Sequence, residues 1–288
     1  MNYRHAFHAG NFADVMKHVF LSRILEYMKR KDAPLRFIDT HAGIGKYDLS
    51  GDEANRTEEW RDGIARLLDH IPPASIEHLL HPYLNTVREC FSGANRSNES
   101  KNYPGSPALA QSLLRRQDRM IFCELHPADR RKLTRNCGRD KRVKVVEIDG
   151  YTALRAYVPP VERRGLVLID PPFEAIDEFT NLSRNLVTAW KKWPTGVYAI
   201  WYPVKDPRAI DRFYETLTNG DIGDVLRLEL NVRQVEADKG LAGSGMAIIN
   251  PPYVLEGEAQ AILPLLCSAL GQNAHAGYRV EQFSTDRR

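Results

Sequence analysis

The stretch Leu35-Arg36-Phe37-Ile38-Asp39-Thr40-His41-Ala42-Gly43-Ile44-Gly45 reads as a short strand that ends in an acid and runs into a glycine loop. Glycine lets a backbone turn tightly and approach a ligand closely. A dinucleotide fingerprint would need GxGxxG and would set a pyrophosphate on a helix N-terminus. Only two glycines follow Asp39 here, which suits a ligand without phosphate. Taken alone, the loop is equally a plain strand-to-helix turn.

Working outward, the same pattern recurs. Met120 to Glu124, Val143 to Asp149 and Leu166 to Asp170 are apolar runs that also close on an acid. Gly196 to Trp201, Val225 to Val232 and Met246 to Ile249 bring the strands to seven. Helical spacing fills 11–31, 106–115, 127–136, 150–157, 174–191 and 206–219. Alternation of this kind predicts a doubly wound, mostly parallel α/β sheet. No helix separates the last two strands, so they are expected to be antiparallel. Residues 52–100 hold two helical patterns without a strand and read as a small helical insertion within a single 1–288 domain. The tail, 272–288, carries few packing signals and is expected to be mobile.

Ligands of an open parallel sheet sit beyond the carboxyl ends of its strands. Asp39, Glu124, Asp149 and Asp170 should therefore line one rim. S-adenosylmethionine is one phosphate-free ligand of this kind, for which Glu124 is placed to accept from the ribose hydroxyls and Asp149 to contact the adenine ring, although each acid is equally a plain strand end when taken singly. Asp170-Pro171-Pro172-Phe173 is the sharpest signal. An adenine N6 is a poor nucleophile because its lone pair is delocalised into the ring. A carboxylate and a backbone carbonyl accepting its two N–H groups would localise that pair for attack on a sulfonium methyl. Two prolines fix the turn, so the acceptors are preorganised. Phe173 offers a face for base stacking. Asn250-Pro251-Pro252-Tyr253 has the same look, but it follows a late strand and is expected to be structural.

Composition sets the outer limits. Of 288 residues, 43% are hydrophobic and 27% charged, as in soluble globular proteins. No apolar run approaches the roughly 20 residues of a membrane span. The N-terminus lacks a signal-peptide core. Four isolated cysteines form no CxxC pair, which fits a reducing cytoplasm and suggests no metal site. The net charge of +3 does not argue for nucleic acid. A basic stretch, 127–144, could face phosphates, although charge alone favours a solvated helix and loop. Aromatics interleaved with cations at 3–18 could touch bases and phosphates, or could simply pack on the sheet.

Together these residues resemble the bacterial 23S ribosomal RNA adenine-N6 methyltransferase J family. The resemblance rests on YRHAFHAGNFADVMKH at 3–18, DTHAGIGKY at 39–47, YPGSP at 103–107, ELHP at 124–127, DG at 149–150, RRGLVLIDPPF at 163–173, WYPV at 201–204 and SGMAIINPPY at 244–253. It implies a Rossmann-like class I methyltransferase that acts on one adenine of naked or partly assembled 23S rRNA. It implies Asp170 as the catalytic residue. Cofactor contacts are implied at His18, His41, Ser106, Glu124, Asp149, Gly150 and Asp170, with Lys17 nearby. Tyr3 would meet the RNA, beside Pro171 and Phe173. The family is expected to work as a monomer with no protein partner, releasing S-adenosylhomocysteine. Its common turn ends in tyrosine, so Phe173 keeps stacking but lacks the hydroxyl. The rival readings are a DNA adenine methyltransferase, an RNA-binding protein without activity and a nicotinamide dehydrogenase.

Overall fold

The computed structural model describes residues 4–92, 101–175, 177–220, 222–235 and 240–283. In chain order they form α1 (Phe12–Met28), β1 (Arg36–Asp39), β2 (Lys46–Asp48), α2 (Asp52–Thr57), α3 (Ile64–Asp69) and α4 (Ala74–Ser92). Next come β3 (Asn102–Pro104), α5 (Ser106–Leu113), β4 (Arg119–Cys123), α6 (Pro127–Cys137), β5 (Val143–Val146) and α7 (Gly150–Tyr157). The rest are β6 (Gly165–Ile169), α8 (Glu178–Lys192), β7 (Val197–Pro203), α9 (Pro207–Asn219), β8 (Val225–Asn231), β9 (Gly243–Ile249), α10 (Leu255–Leu270) and β10 (Gly277–Phe283).

The main sheet has the order β10-β8-β9-β7-β6-β1-β4-β5. Side chains alternate between its faces. Phe37, Leu166 and Leu168 point to the core under α1, α5 and α10, while Ile38, Val167 and Ile169 point to the one under α7, α8 and α9. β1 pairs in parallel with β4 on one side and β6 on the other, and β6 pairs in parallel with β7. The chain's direction of travel thus reverses at β1, which opens a crevice at its carboxyl end. Asp39 lies level with Phe122 and Leu168, so Glu124 and Asp170 emerge two residues later at the same edge.

β9 runs antiparallel between β7 and β8, as the missing helix implied. Ile249 stands opposite Tyr198 and Val225, near the starts of their strands. Asn250 therefore belongs to the edge away from Asp170.

Two expectations are corrected. The sheet has eight strands among the described residues, not seven, because Gly277–Phe283 of the tail adds to the free edge of β8. An open edge supplies a full row of backbone partners, so a polar segment can be recruited there without an apolar face of its own. α10 is also absent from the sequence reading. The insertion forms α2, α3 and α4, bracketed by the β2–β3 pair. Its Ile64, Leu67, Leu80 and Tyr83 share the core that holds α1.

Candidate active site

The glycine loop after β1 folds back over the strand ends. Thr40 N donates to Leu168 O at 3.0 Å and Ala42 N to Cys123 O at 2.9 Å. Gly43 and Gly45 hold φ of +60° and +78°. A side chain on Gly43 would in addition overlap the Tyr47 hydroxyl. This loop, α1, the start of α5 and the turns after β4, β5 and β6 enclose a cavity of about 280 Å³.

The expected cofactor residues converge there. Lys17 and His18 come from α1, His41 from the loop and Ser106 from the first position of α5. Glu124, Asp149 and Gly150 line the wall beyond β4 and β5, and Asp170 with Pro171 lines the wall beyond β6. Two expected residues are not among them. Tyr3 lies outside the described residues. Phe173 turns from the cavity at φ +50°, its ring 4.9 Å from that of Phe179 and 5.9 Å from that of Trp201.

Asp39 does not reach the rim either. It is fully buried beneath the cavity. Its Oδ2 accepts from Ser106 Oγ at 2.6 Å and its Oδ1 from His41 N at 3.2 Å. Burial pushes its carboxyl up to about 7, against the hydrogen bond from Ser106. The strand is too short to carry this acid past its neighbours, so Asp39 braces two wall residues from below. Glu124 is held differently. Its Oε2 accepts from Gly43 N at 2.9 Å and its Oε1 from His126 N at 2.8 Å. A carboxylate offers about four acceptor positions, so each oxygen keeps capacity for a ligand hydroxyl. Asp149 caps α7, accepting from Thr152 N at 2.7 Å. His41 packs at the N-terminus of that helix, and burial lowers its imidazole to about 4.

The strongest electrostatic feature was only partly legible in the sequence. Lys17, 4% exposed, sets its Nζ 2.5 Å from Asp170 Oδ2 and 2.8 Å from Asp14 Oδ1. Burial opposes the ammonium charge, but the two carboxylates overcome it and raise its pKa. Asp14 is buried on the same helix. Its Oδ2 accepts from His5 Nε2 at 2.8 Å and from Gly10 N at 3.0 Å. Burial works against its ionisation too, yet His5 and Lys17 hold its pKa well below the usual range. His18 Nδ1 meets the Tyr103 hydroxyl at 2.9 Å, and that hydroxyl meets Tyr83 at 3.0 Å. Burial keeps this imidazole neutral, with a pKa down to about 3.

Asp14, Trp201, Tyr83 and Tyr103 were not singled out. Asp14 and Lys17 are three apart on a helix, a spacing that was visible. Their third partner lies 153 residues away in sequence and was not. The second double-proline turn is structural. Asn250, at φ +52°, donates from Nδ2 to Pro194 O and Gly196 O, both at 2.7 Å.

A family model described as "Ribosomal RNA large subunit methyltransferase D, RlmJ" matches residues 32–284. The chain is 42% identical over 271 residues to the ribosomal RNA large subunit methyltransferase J of Escherichia coli K12, covering 94% of each. It is 40% identical over 281 residues to the protein of the same name from Haemophilus influenzae, covering 98% of each. Among solved structures, a Legionella pneumophila protein described as LPL1258 superposes with a TM-score of 0.85 at 35% identity, over 97% of this chain and 99% of that one.

Proposed function

The chain belongs to the RlmJ family of ribosomal RNA large subunit methyltransferases, and on that premise we propose that it methylates N6 of an adenine in 23S rRNA, using S-adenosylmethionine. When bound, this cofactor supplies an electrophilic methyl carbon. Glu124 is suited to its ribose hydroxyls, Asp149 and Gly150 to its adenine end, and His18, His41 and Ser106 to the remaining wall. The residues fit such a ligand. The Glu124 carboxylate retains acceptor capacity, and Gly150 leaves room that a Cβ would close against His41.

The observation that carries the reading is Asp170 on its Pro-Pro turn. Lys17 engages Oδ2, and no hydrogen bond to Oδ1 is found among the described residues. With Oδ2 taken by the Lys17 ammonium, Oδ1 is the oxygen placed to accept an amino N–H. That interaction draws the nitrogen lone pair out of the ring. A cofactor held by Glu124, Asp149, Gly150, His18, His41 and Ser106 would accept the bonding electrons on its sulfur as its methyl passes to that nitrogen. The nitrogen gives up one proton, and the Asp170 carboxylate that accepts its N–H is suited to take it. Holding the two reactants in line supplies the remaining acceleration. Phe173 packs on Phe179 and Trp201 away from the cavity, so its proposed stacking on the base needs the ring to swing out, with Pro171 and Tyr3 proposed beside the RNA.

The polynucleotide chain has a cationic surface available. Arg131, Lys132 and Arg135 are exposed on α6, and Lys132 also lines the cavity mouth. Phosphate contacts there would make binding fall with salt. No helix among the described residues is long and apolar enough to cross a membrane. We place the reaction in the cytoplasm, carried out by a monomer.

The test is transfer of labelled methyl from S-adenosylmethionine to 23S rRNA and to duplex DNA. Labelling of rRNA at adenine N6, abolished in Asp170→Ala, is expected. Preferential labelling of DNA overturns the substrate. RNA retention without transfer overturns the activity, and appreciable transfer by Asp170→Ala overturns the role of that residue.

A further inference from the structure

Asp14 is buried behind the cavity wall rather than in its lining, yet it meets three groups that face the site or lead to it. Its Oδ1 holds Lys17 at 2.8 Å, and its Oδ2 holds His5 at 2.8 Å and the backbone of Gly10 at 3.0 Å. Lys17 and His5 both line the cavity. Gly10, at φ +76°, is the bend by which the N-terminal segment enters α1. One carboxylate thus ties the α1 cation and the N-terminal turn to a single point.

The arrangement has a consequence for Asp170. An ammonium facing a lone carboxylate would settle fully on it, competing for the lone pairs that an incoming amino group needs. An ammonium shared between two carboxylates is held at a fixed position by the one that does not touch substrate. We infer that Asp14 is a positioning residue for methyl transfer: it fixes Lys17 between two carboxylates so that Asp170 presents one oxygen to the cation and the other to the substrate amine. This rests on the function proposed above for Asp170.

The groups around Lys17 come from several elements. Asp14 and His18 lie on its own helix, His5 on the N-terminal turn, Asp39 at the end of β1, Tyr83 on α4, Tyr103 on β3 and Asp170 after β6. Asp14 and Asp170 are the two that hold the ammonium charge against burial. Without the Asp14 charge, Lys17 releases its proton at lower pH.

Asp14→Asn keeps the side-chain volume and removes the charge. Its kcat for rRNA methylation is expected to fall about 10- to 100-fold, the scale of a misplacement near 1 Å. The KM for S-adenosylmethionine should stay within about threefold, a window of about 0.65 kcal/mol at 25 °C. An unchanged kcat overturns the inference. So does a loss matched by equal loss of cofactor binding, since a merely structural role predicts that. If the Asn variant does not fold, Asp14→Glu carries the test, because it keeps the charge and shifts it by one methylene. Lowered kcat with retained cofactor binding supports the inference, and wild-type kcat overturns it. Wild-type protein that transfers no methyl to rRNA defeats the functional reading instead.

Discussion

A Cβ on Gly150 would stand 2.5 Å from His41 Cε1, 2.6 Å from its Nε2 and 2.8 Å from the carbonyl of Thr40. The ring can swing, but the carbonyl is fixed at the end of β1. Gly150→Ala is therefore expected to cost about 1–3 kcal/mol of stability, as overpacking does. It should weaken cofactor binding about tenfold, the effect of 1.4 kcal/mol at the site. Calorimetric titration checks this, and unaltered affinity would show that His41 yields freely. His18 gives a pH signature. Burial lowers its folded value to about 3 from an ordinary 6.5. A depressed value contributes stability that is present above 6.5 and lost as pH falls toward 3. The melting-temperature advantage of wild type over His18→Gln should be widest above pH 7 and narrow steadily between pH 6.5 and 4. A constant gap would mean that His18 titrates normally. At this scale the acids Glu124, Asp149 and Asp170 were legible because each closes a strand, whereas Lys17, His18, His41, Ser106 and Gly150 were implied by the family resemblance alone. The sequence missed what stands behind them. Asp39 appeared to be a rim acid, and only the register shows it two residues short of Glu124 and Asp170. Phe173 appeared free to stack, and only the packed structure reveals Phe179 and Trp201 against it.

At the scale of elements, the reversed direction of β9 separates the two double-proline turns. Both follow strands, but those strands run opposite ways, so the turns lie at opposite edges of the sheet. Asn250 bridges two carbonyls and occupies a left-handed conformation that asparagine tolerates better than most residues. Asn250→Ala removes two hydrogen bonds of about 1 kcal/mol each and adds about 1 kcal/mol of strain. A loss near 2–3 kcal/mol in denaturant unfolding is expected, with kcat unchanged in the folded fraction. A selective fall in kcat would instead implicate this turn in chemistry. Strong alternation of strand and helix made six parallel strands and the antiparallel β9 readable. α10 was hidden because Pro264 interrupts a segment whose apolar residues do not form a clean stripe. β10 was hidden because Arg279, Glu281 and Gln282 make it look like solvated tail. Its strand conformation comes from the edge that β8 offers, a tertiary cause with little local signature.

Across the whole molecule, β10 matches all seven residues of β8, from Gly277 opposite Asn231 to Phe283 opposite Val225. It closes the sheet edge farthest from β5. A chain ending at Ala276 would expose β8 as a long, largely apolar edge, a template for association. A lower melting temperature and high-mass species in size-exclusion chromatography are expected, with cofactor affinity retained by the monomeric fraction. An unchanged melting temperature would show that the edge needs no cover.

α1 is buried at 15 of its 17 positions and packs on α4, α5, β9 and α10. Its Arg23 pairs with Glu258, 235 residues downstream. At ribosomal speeds of about 5–20 residues per second, that helix leaves the tunnel roughly 10–50 s before its last packing partner does. Throughout that interval the nascent chain displays the ten apolar residues of this helix without their full cover, a ready ligand for a holdase. Lys17 rides on the same segment, so the cation beside Asp170 is carried by a helix whose cover, β9 and α10, comes from the last third of the chain.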